Sequence, residues 1–385
     1  MIPYGRQSIS DADIAAVEAV LKSDWLTQGA TVPRFEQTVS EYTGANYATA
    51  VNSGTSALHI ACLALRLGPG DRLWTSPNSF AASANCALYC GAGVDFVDID
   101  PRTYNMSVDA LRQKLADAER TGTLPKIVVP VHFAGQSCDM RQIKDLSERY
   151  GFHTIEDASH AIGGRYLGER VGNCSYSDIT VFSFHPVKIV TTGEGGMAVT
   201  IDLELHERMQ RLRSHGITHE SDLMDRESHG PWYYQQIELG FNYRMTDIQA
   251  ALGASQMQRV DTFVTNRRRL AARYDELLSK LPIVRPWQCL DAESAWHLYV
   301  IRLCLDRVTN GRRAVFEALR TAGIGVQVHY IPVHTHPHYR QLGFSLGDFP
   351  ECERYYAEAI TLPLYATLTE REQDEVMDAL VSALG

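Results

Sequence analysis

The chain has 385 residues, 45% of them hydrophobic and 21% charged, which is enough for a large core and more than one folded unit. Its formal net charge of −10 does not suit a phosphate backbone, so no nucleic-acid partner is expected. No run approaches the roughly 20 apolar residues of a membrane helix, and the polar start MIPYGRQSIS has no signal-peptide apolar region, so a cytoplasmic protein without a membrane partner is expected.

Ser10 to Lys22 is predicted to be a helix capped by Ser10, with Ile14, Val17, Val20 and Leu21 on one face. A second helix is predicted through Phe35 to Tyr42. From about residue 48, short apolar runs alternate with helical patterns. Ala48 to Asn52 precedes Ala57 to Leu65, and Leu73 to Ser76 precedes Ala81 to Tyr89. Val94 to Ile99 precedes Val108 to Ala118, Ile127 to Val131 precedes Ile143 to Tyr150, and Thr154 to Glu156 follows. This rhythm predicts a largely parallel sheet covered by helices. Ile179 to Phe184 and Met197 to Ile201 have no helix between them, so they are expected to pair and make the sheet mixed.

Thr246, with Gln249 at capping-box spacing, opens a long helical pattern to about Leu281, before Pro282 and Pro286 break the chain. Beyond it, strands are predicted at His297 to Leu303 and Gly325 to Tyr330. Helices are predicted at Arg312 to Ala322, Cys352 to Ile360 and Thr369 to Leu384. The expected organisation is a large domain over 1–245, a connecting helix over 246–284 and a small α/β domain over 285–385. The eight cysteines form no CxxC pair and are read as reduced thiols.

Four motifs fall near predicted strand ends, where open α/β sheets bind ligands. Asn52-Ser53-Gly54-Thr55-Ser56-Ala57 turns from a strand into a helix whose free N–H groups and hydroxyls suit a phosphate; by itself it is also an ordinary capped turn. Glu156-Asp157-Ala158-Ser159-His160 ends an apolar strand with carboxylates that could keep a heteroaromatic nitrogen protonated. Ser183-Phe184-His185-Pro186-Val187-Lys188 places a lysine just past a buried strand, before the flexible run Thr191-Thr192-Gly193-Glu194-Gly195-Gly196. Desolvation there would lower its pKa and make it a usable nucleophile. Gly240-Phe241-Asn242-Tyr243-Arg244-Met245 presents an amide and a guanidinium at a helix start.

In this order, together with Trp25-Leu26-Thr27-Gln28-Gly29, these motifs resemble the DegT/DnrJ family of sugar aminotransferases along nearly the whole chain. The resemblance implies the type I fold of pyridoxal-phosphate enzymes: a large domain with a mixed, mostly parallel sheet and a smaller C-terminal α/β domain. It implies that Lys188 bonds covalently to the cofactor aldehyde and that Asp157 pairs with the ring nitrogen. Thr55, Ser56 and Ser183 would hold the cofactor phosphate, and Phe80 would stack on the ring. Asn242 would reach the phosphate of a neighbouring subunit, which implies a homodimer. His160 stands where many members carry Gln, and its charge would add pH sensitivity.

The wording SFHPVK…TTGEGG resembles the branch that aminates C4 of a UDP-linked 4-keto-6-deoxy-N-acetylhexosamine for pseudaminic acid synthesis. L-glutamate is the donor the resemblance implies. His329 and Tyr330, with Trp25 and Arg244, are the candidate substrate contacts. His334, His336 and His338 alternate but lack a completing cysteine or carboxylate nearby, so no metal is expected. Another 3- or 4-keto sugar or nucleotide carrier remains an alternative. A dehydratase of the family would carry histidine at the position of Lys188, and a cofactor-dependent regulator would need an attached DNA-binding module.

Overall fold

The computed structural model describes residues 1–385. One seven-stranded sheet organises the chain. It holds β1 (Tyr47–Val51), β2 (Arg72–Thr75), β3 (Gly93–Phe96), β4 (Ile127–Val129) and β5 (His153–Asp157). A small hairpin of β6 (Arg165–Tyr166) and β7 (Glu169–Arg170) intervenes before β8 (Ile179–Ser183) and β9 (Gly196–Thr200) complete it. The spatial order is β1-β9-β8-β5-β4-β2-β3. β9 runs antiparallel to β1 and β8, and every other pair is parallel, so the expected mixed sheet is present. Ile127, Val128 and Val129 are fully buried on successive faces, as befits a strand covered on both sides.

The covering helices are α1 (Asp11–Leu21), α2 (Thr31–Thr43), α3 (Gly54–Ala64), α4 (Ala82–Tyr89), α5 (Val108–Thr121), α6 (Met140–Tyr150) and α7 (Leu203–Leu212). α8 (Asp247–Met257) and α9 (Val260–Leu277) follow. Asp247 ties two of the distant motifs together. Its carboxylate accepts from the N–H groups of Gly29 (2.7 Å), Thr31 (2.9 Å) and Val32 (3.1 Å), which caps the start of α2. A C-terminal core gathers Leu270 and Tyr274 of α9 with Tyr299, Ile301, Leu319, Ile360 and Leu380. It meets the large sheet through Phe96, Phe133, Leu298 and Tyr355.

Four expectations are corrected. α1 buries only part of the predicted apolar face: Val20 is buried and Val17 half-buried, but Ile14 and Leu21 are 57% and 56% exposed. The helix instead turns Asp13 inward, where it accepts from Ser255 Oγ (2.6 Å) and Gln256 Nε2 (2.8 Å) and pairs with Arg259. The long helix from Thr246 is two helices. Arg259 leaves helical geometry (φ −117°, ψ 5°) while its guanidinium is anchored at Asp13, and neither glycine nor proline marks the break. Gly325 to Tyr330 forms no strand, because Gly325 N–H is taken by the Ile2 carbonyl at 2.6 Å and only Gln327 bridges to Thr361. The helix predicted at Cys352 to Ile360 ends at Glu358, and Ala359–Leu362 pairs with Tyr299–Arg302 as a strand, which suits β-branched Ile360 and Thr361. No helix is long and apolar enough to cross a membrane.

Candidate active site

Asp157 closes β5, and Lys188 follows β8 by five residues; Asp157 and Val181 of β8 are partners in parallel register. Both side chains therefore emerge at the carboxyl end of the sheet. They line a cleft of about 430 Å³ together with Thr55, Phe80, His160, Ser183, His329 and Tyr330.

One end of the cleft suits an anion. Ser53 caps α3 by accepting the Ser56 N–H at 3.1 Å, which leaves the first N–H groups of the helix facing the cleft beside Thr55 and Ser183. The approach is close because residue 54 is glycine: a Cβ there would stand 3.0 Å from Ser183 Cβ. Ser56 is placed differently from Thr55, since its hydroxyl donates to Asn52 Oδ1 at 2.7 Å and is turned away from the cleft.

The other landmark is the Asp157 carboxylate. Its Oδ2 accepts from Ser83 Oγ at 2.6 Å, Ser83 is 2.6 Å from Ser79 Oγ, and its Oδ1 accepts from Ser159 N–H at 3.1 Å. Ser79 and Ser83 are absent from the sequence reading; their spacing of four residues into α4 is the only signal that could have found them. Strand alternation explains why only one acid of the pair faces the cleft. Glu156 points the other way, where His132 Nε2 (2.6 Å), Ser177 (2.5 Å) and Thr180 (3.1 Å) hold it in the interior. The His132 backbone N–H donates to the Asp157 carbonyl at 3.0 Å, so the same residue steadies both acids.

Burial pulls the Lys188 amine down from 10.5 to about 8, against the attraction of Asp157. Three imidazoles lie near it. Burial, with Lys188 adding to it, holds His329 down to about 3. Burial also lowers His160, helped by Lys188 and His329, and lowers His297, helped by His160 and Lys188. Ala134 N–H donates to His160 Nδ1 at 3.3 Å, so Nε2 carries the proton and donates to Tyr330 Oη at 3.1 Å. The expected pH sensitivity of His160 is thus replaced by a fixed neutral tautomer. His297, missed from the sequence, lines the cleft with its ring centroid 4.5 Å from that of His160. Tyr4 was also missed; it arrives from the chain start, and nothing local signals it.

The remaining predicted residues are dispersed. Phe80 sits at the mouth, 64% exposed, with its ring 6.4 Å from Tyr330. Trp25 is 64% exposed and outside the cleft. Arg244 lines a separate hollow of about 270 Å³ with Gln28, Gly29 and Ser214, and donates to Ser214 Oγ at 3.0 Å. Asn242 is exposed, beside Asn52 on the backbone side. One chain therefore does not bring Asn242, Trp25 or Arg244 into its own cleft. His334 is buried with Nε2 2.9 Å from Glu353, while His338 is exposed.

Free N–H groups and hydroxyls for a phosphate, a carboxylate for a ring nitrogen, and a lysine of lowered pKa for an aldehyde fit pyridoxal phosphate. The fold and this site define an enzyme of the type I pyridoxal-phosphate fold. The chain belongs to the DegT/DnrJ/EryC1/StrS aminotransferase family, whose model matches residues 7–381. It is 38% identical over 382 residues to the spore coat polysaccharide biosynthesis protein SpsC of Bacillus subtilis, covering 98% of this chain and 96% of that one. It is 36% identical over 389 residues to a UDP-4-amino-4,6-dideoxy-N-acetyl-beta-L-altrosamine transaminase of Campylobacter jejuni, covering 100% and 98%. It superposes on Helicobacter pylori PseC, an aminotransferase of pseudaminic acid biosynthesis, with a TM-score of 0.90 at 30% identity, covering 100% and 99%. Solved structures of the same fold include PLP and PMP forms, and the present chain is a pyridoxal-phosphate-dependent sugar aminotransferase.

Proposed function

We propose that the enzyme moves the amino group of L-glutamate to C4 of a UDP-linked 4-keto-6-deoxy-N-acetylhexosamine, as in pseudaminic acid synthesis. The reaction class rests on one observation: a lysine whose pKa is lowered to about 8 opens into the same cleft as Asp157. The substrate reading is supported by end-to-end likeness to the Campylobacter transaminase and to PseC.

When bound, pyridoxal phosphate supplies an electron sink for the carbon that loses its proton. Lys188 would act as base and acid, taking a proton from the donor's α-carbon and returning it at the cofactor carbon. Asp157, fixed by Ser83 and Ser159, stabilises positive charge at the ring nitrogen. Thr55, Ser183 and the free N–H groups of α3 anchor the phosphate. His329, held at Nδ1 by Thr361 Oγ1 (2.8 Å), and Tyr330 present rigid polar atoms to the sugar.

The working unit in this reading is a homodimer in which Asn242 reaches the partner's phosphate site. Its support is the exposed apolar run of Ile14, Leu21, Trp25 and Leu26, which one chain leaves uncovered. The test is the absorbance of the loaded enzyme before and after L-glutamate, then after keto sugars. Loss of the lysine-bound band with glutamate, and its return with the UDP-linked 4-keto sugar but not a dTDP-linked one, is expected. Return with dTDP sugars or a 3-keto sugar would overturn the substrate assignment, and indifference to glutamate would overturn the donor.

A further inference from the structure

The cleft wall that holds Lys188 also carries an imidazole assigned so far to neither cofactor nor sugar. His297 stands two residues before the strand Tyr299–Leu303, is 5% exposed and lines the cleft. Its backbone fixes its place. Its N–H donates to the Ala134 carbonyl at 2.8 Å, and its carbonyl accepts from Arg267 Nη1 at 3.1 Å. Trp296, just before it, is buried and held at φ 51°, a left-handed conformation that a bulky side chain rarely adopts. The facing turn is left-handed too, at Ala134 (φ 57°) and Gly135 (φ 104°). A Cβ on Gly135 would stand 2.8 Å from Trp296 N and 3.1 Å from His297 N, so glycine permits the close approach. Gln136 braces this turn, its Nε2 donating to the Trp287 carbonyl (3.3 Å) and its Oε1 accepting from the Cys289 N–H (2.6 Å). The same turn supplies Ala134 N–H to His160 Nδ1, so one clamp sets both imidazoles, whose centroids lie 4.5 Å apart.

Other polar groups of the wall are already engaged. Asp157 takes the Ser83 hydroxyl and the Ser159 N–H, His160 Nε2 is turned to Tyr330, and His329 Nδ1 is held by Thr361. His185 is half-exposed and faces Glu194 across 3.9 Å, where a second anion would be repelled. His297 differs. Its Nδ1 is buried without a hydrogen-bond partner. A bare acceptor costs less there than a stranded N–H, so the ring proton belongs on Nε2, at the cleft. Burial, then His160 and Lys188, keep the ring neutral, so it offers an N–H donor rather than a charge.

We infer that His297 holds the α-carboxylate of the amino-acid donor, its Nε2–H donating to a carboxylate oxygen. This role presupposes the amino-acid donor of the proposed function. The donor's α-carbon has to reach the Lys188 amine, and the carboxylate is bonded directly to that carbon. It therefore meets the wall inside the cleft rather than the mouth. The keto sugar has no carboxylate at its reacting carbon, and its anionic groups lie several bonds away on the nucleotide. A neutral donor also suits a site that two reactants occupy in turn. A guanidinium at this point would be left buried and unpaired whenever the sugar replaced the amino acid.

The test compares two amino-group acceptors on the same pyridoxamine-phosphate-loaded enzyme: 2-oxoglutarate, which carries the carboxylate, and the keto sugar, which does not. Loss of a hydrogen bond to a charged group predicts that His297→Phe raises the half-saturating 2-oxoglutarate concentration roughly 10- to 100-fold, and that of the keto sugar less than about threefold. L-Glutamate should weaken in parallel with 2-oxoglutarate on the pyridoxal-phosphate-loaded form. His297→Gln, which keeps an N–H donor at similar reach, should recover most of the loss. Retention of the lysine-bound absorbance band shows that a variant folds and loads, and His297→Leu makes the same comparison should the phenylalanine ring prevent loading. Equal weakening of both acceptors, weakening of the keto sugar alone, unchanged 2-oxoglutarate, or a glutamine variant as poor as phenylalanine would overturn the role of His297. A wild-type enzyme that ignores L-glutamate would instead show the donor of the proposed function to be wrong. The variant-to-wild-type ratio, measured with the amino acid and oxo acid that wild type does accept, then decides the role of His297 separately.

Discussion

Replacing Lys188 with methionine should stabilise the cofactor-free protein, by an amount that depends on pH. Methionine keeps the reach of the side chain and removes its ammonium. In the folded chain burial draws the Lys188 pKa from 10.5 to about 8, with Asp157 opposing. Above pH 10.5 the amine is neutral in folded and unfolded chains alike and costs nothing. Between 10.5 and about 8 the unfolded chain binds a proton that the folded chain refuses, so stability falls as pH falls. Below about 8 both states bind it, and the loss is constant. A displacement of that size corresponds to about 3 kcal/mol. Lys188 is only half-buried because its amine faces the cleft, and water there reduces the expected gain to roughly 1–3 kcal/mol. Urea unfolding of cofactor-free wild type and Lys188→Met should show that gain near neutral pH and its disappearance above the unfolded pKa. A variant equally or less stable at neutral pH, or a gain that ignores pH, would refute a desolvated amine as the source of the reactivity of Lys188.

Ser83→Ala removes the 2.6 Å hydrogen bond to Asp157. A bond to a charged group is worth about 1.5–3 kcal/mol, so kcat/KM should fall roughly 10- to 100-fold with the fold intact by circular dichroism; an unchanged value removes Ser83 from the positioning of Asp157. Arg267 is buried without an acidic partner and donates Nη1 to the carbonyls of Trp296 (3.2 Å), His297 (3.1 Å) and Leu364 (2.8 Å). Arg267→Met strands those acceptors and should cost about 3 kcal/mol or more in holoenzyme unfolding; a neutral effect would mean that water takes its place. His329 is held near 3 by burial and then by Lys188, so it protonates only in strong acid. His329→Gln should therefore raise KM for the keto sugar while leaving the shape of the pH–rate profile between about 5 and 8 unchanged; loss of an acid limb would show that the imidazole titrates in the working range.

The alternation of apolar runs and helical patterns was legible because each strand of a covered parallel sheet is locally apolar and each helix locally amphipathic. The paired strands at Ile179 and Met197 were legible for the same reason, since no helix-length segment separates them. Strand order was not, because β1 joins the sheet beside β9 through pairing about 150 residues distant (Val51 with Gly196), which leaves no local trace. α1 misled because Ile14 and Leu21 face outward in one chain, while its inward anchor beside Val20 is an aspartate whose partners lie on α8 and at Arg259. The site divides in the same way. Lys188, Asp157, Thr55 and Ser183 sit in short motifs at strand ends, whereas Ser83, His297 and Tyr4 reach the cleft from separate elements and carry no motif of their own. Asn242, Trp25 and Arg244 resemble site residues in sequence yet lie outside the cleft of their own chain.

The charge pattern of the cleft limits how it can recognise anions. Lys188 is the only lysine or arginine lining it, and that amine is committed to the reaction. His160, His297 and His329 are all pushed toward the neutral form by burial and by each other or Lys188, so none supplies a second cation. In the proposed reading the cofactor phosphate is held by neutral donors, the N–H groups opening α3 and the hydroxyls of Thr55 and Ser183, and such binding loses little to salt. A nucleotide diphosphate adds further negative charge, and in the proposed reading its cations come from beyond the cleft wall. Within one chain Arg244 stands apart in a second hollow, tied only to Ser214. In the proposed reading a sugar nucleotide draws its basic groups from a second chain, since Lys188 is the only lysine or arginine that one chain places at the cleft.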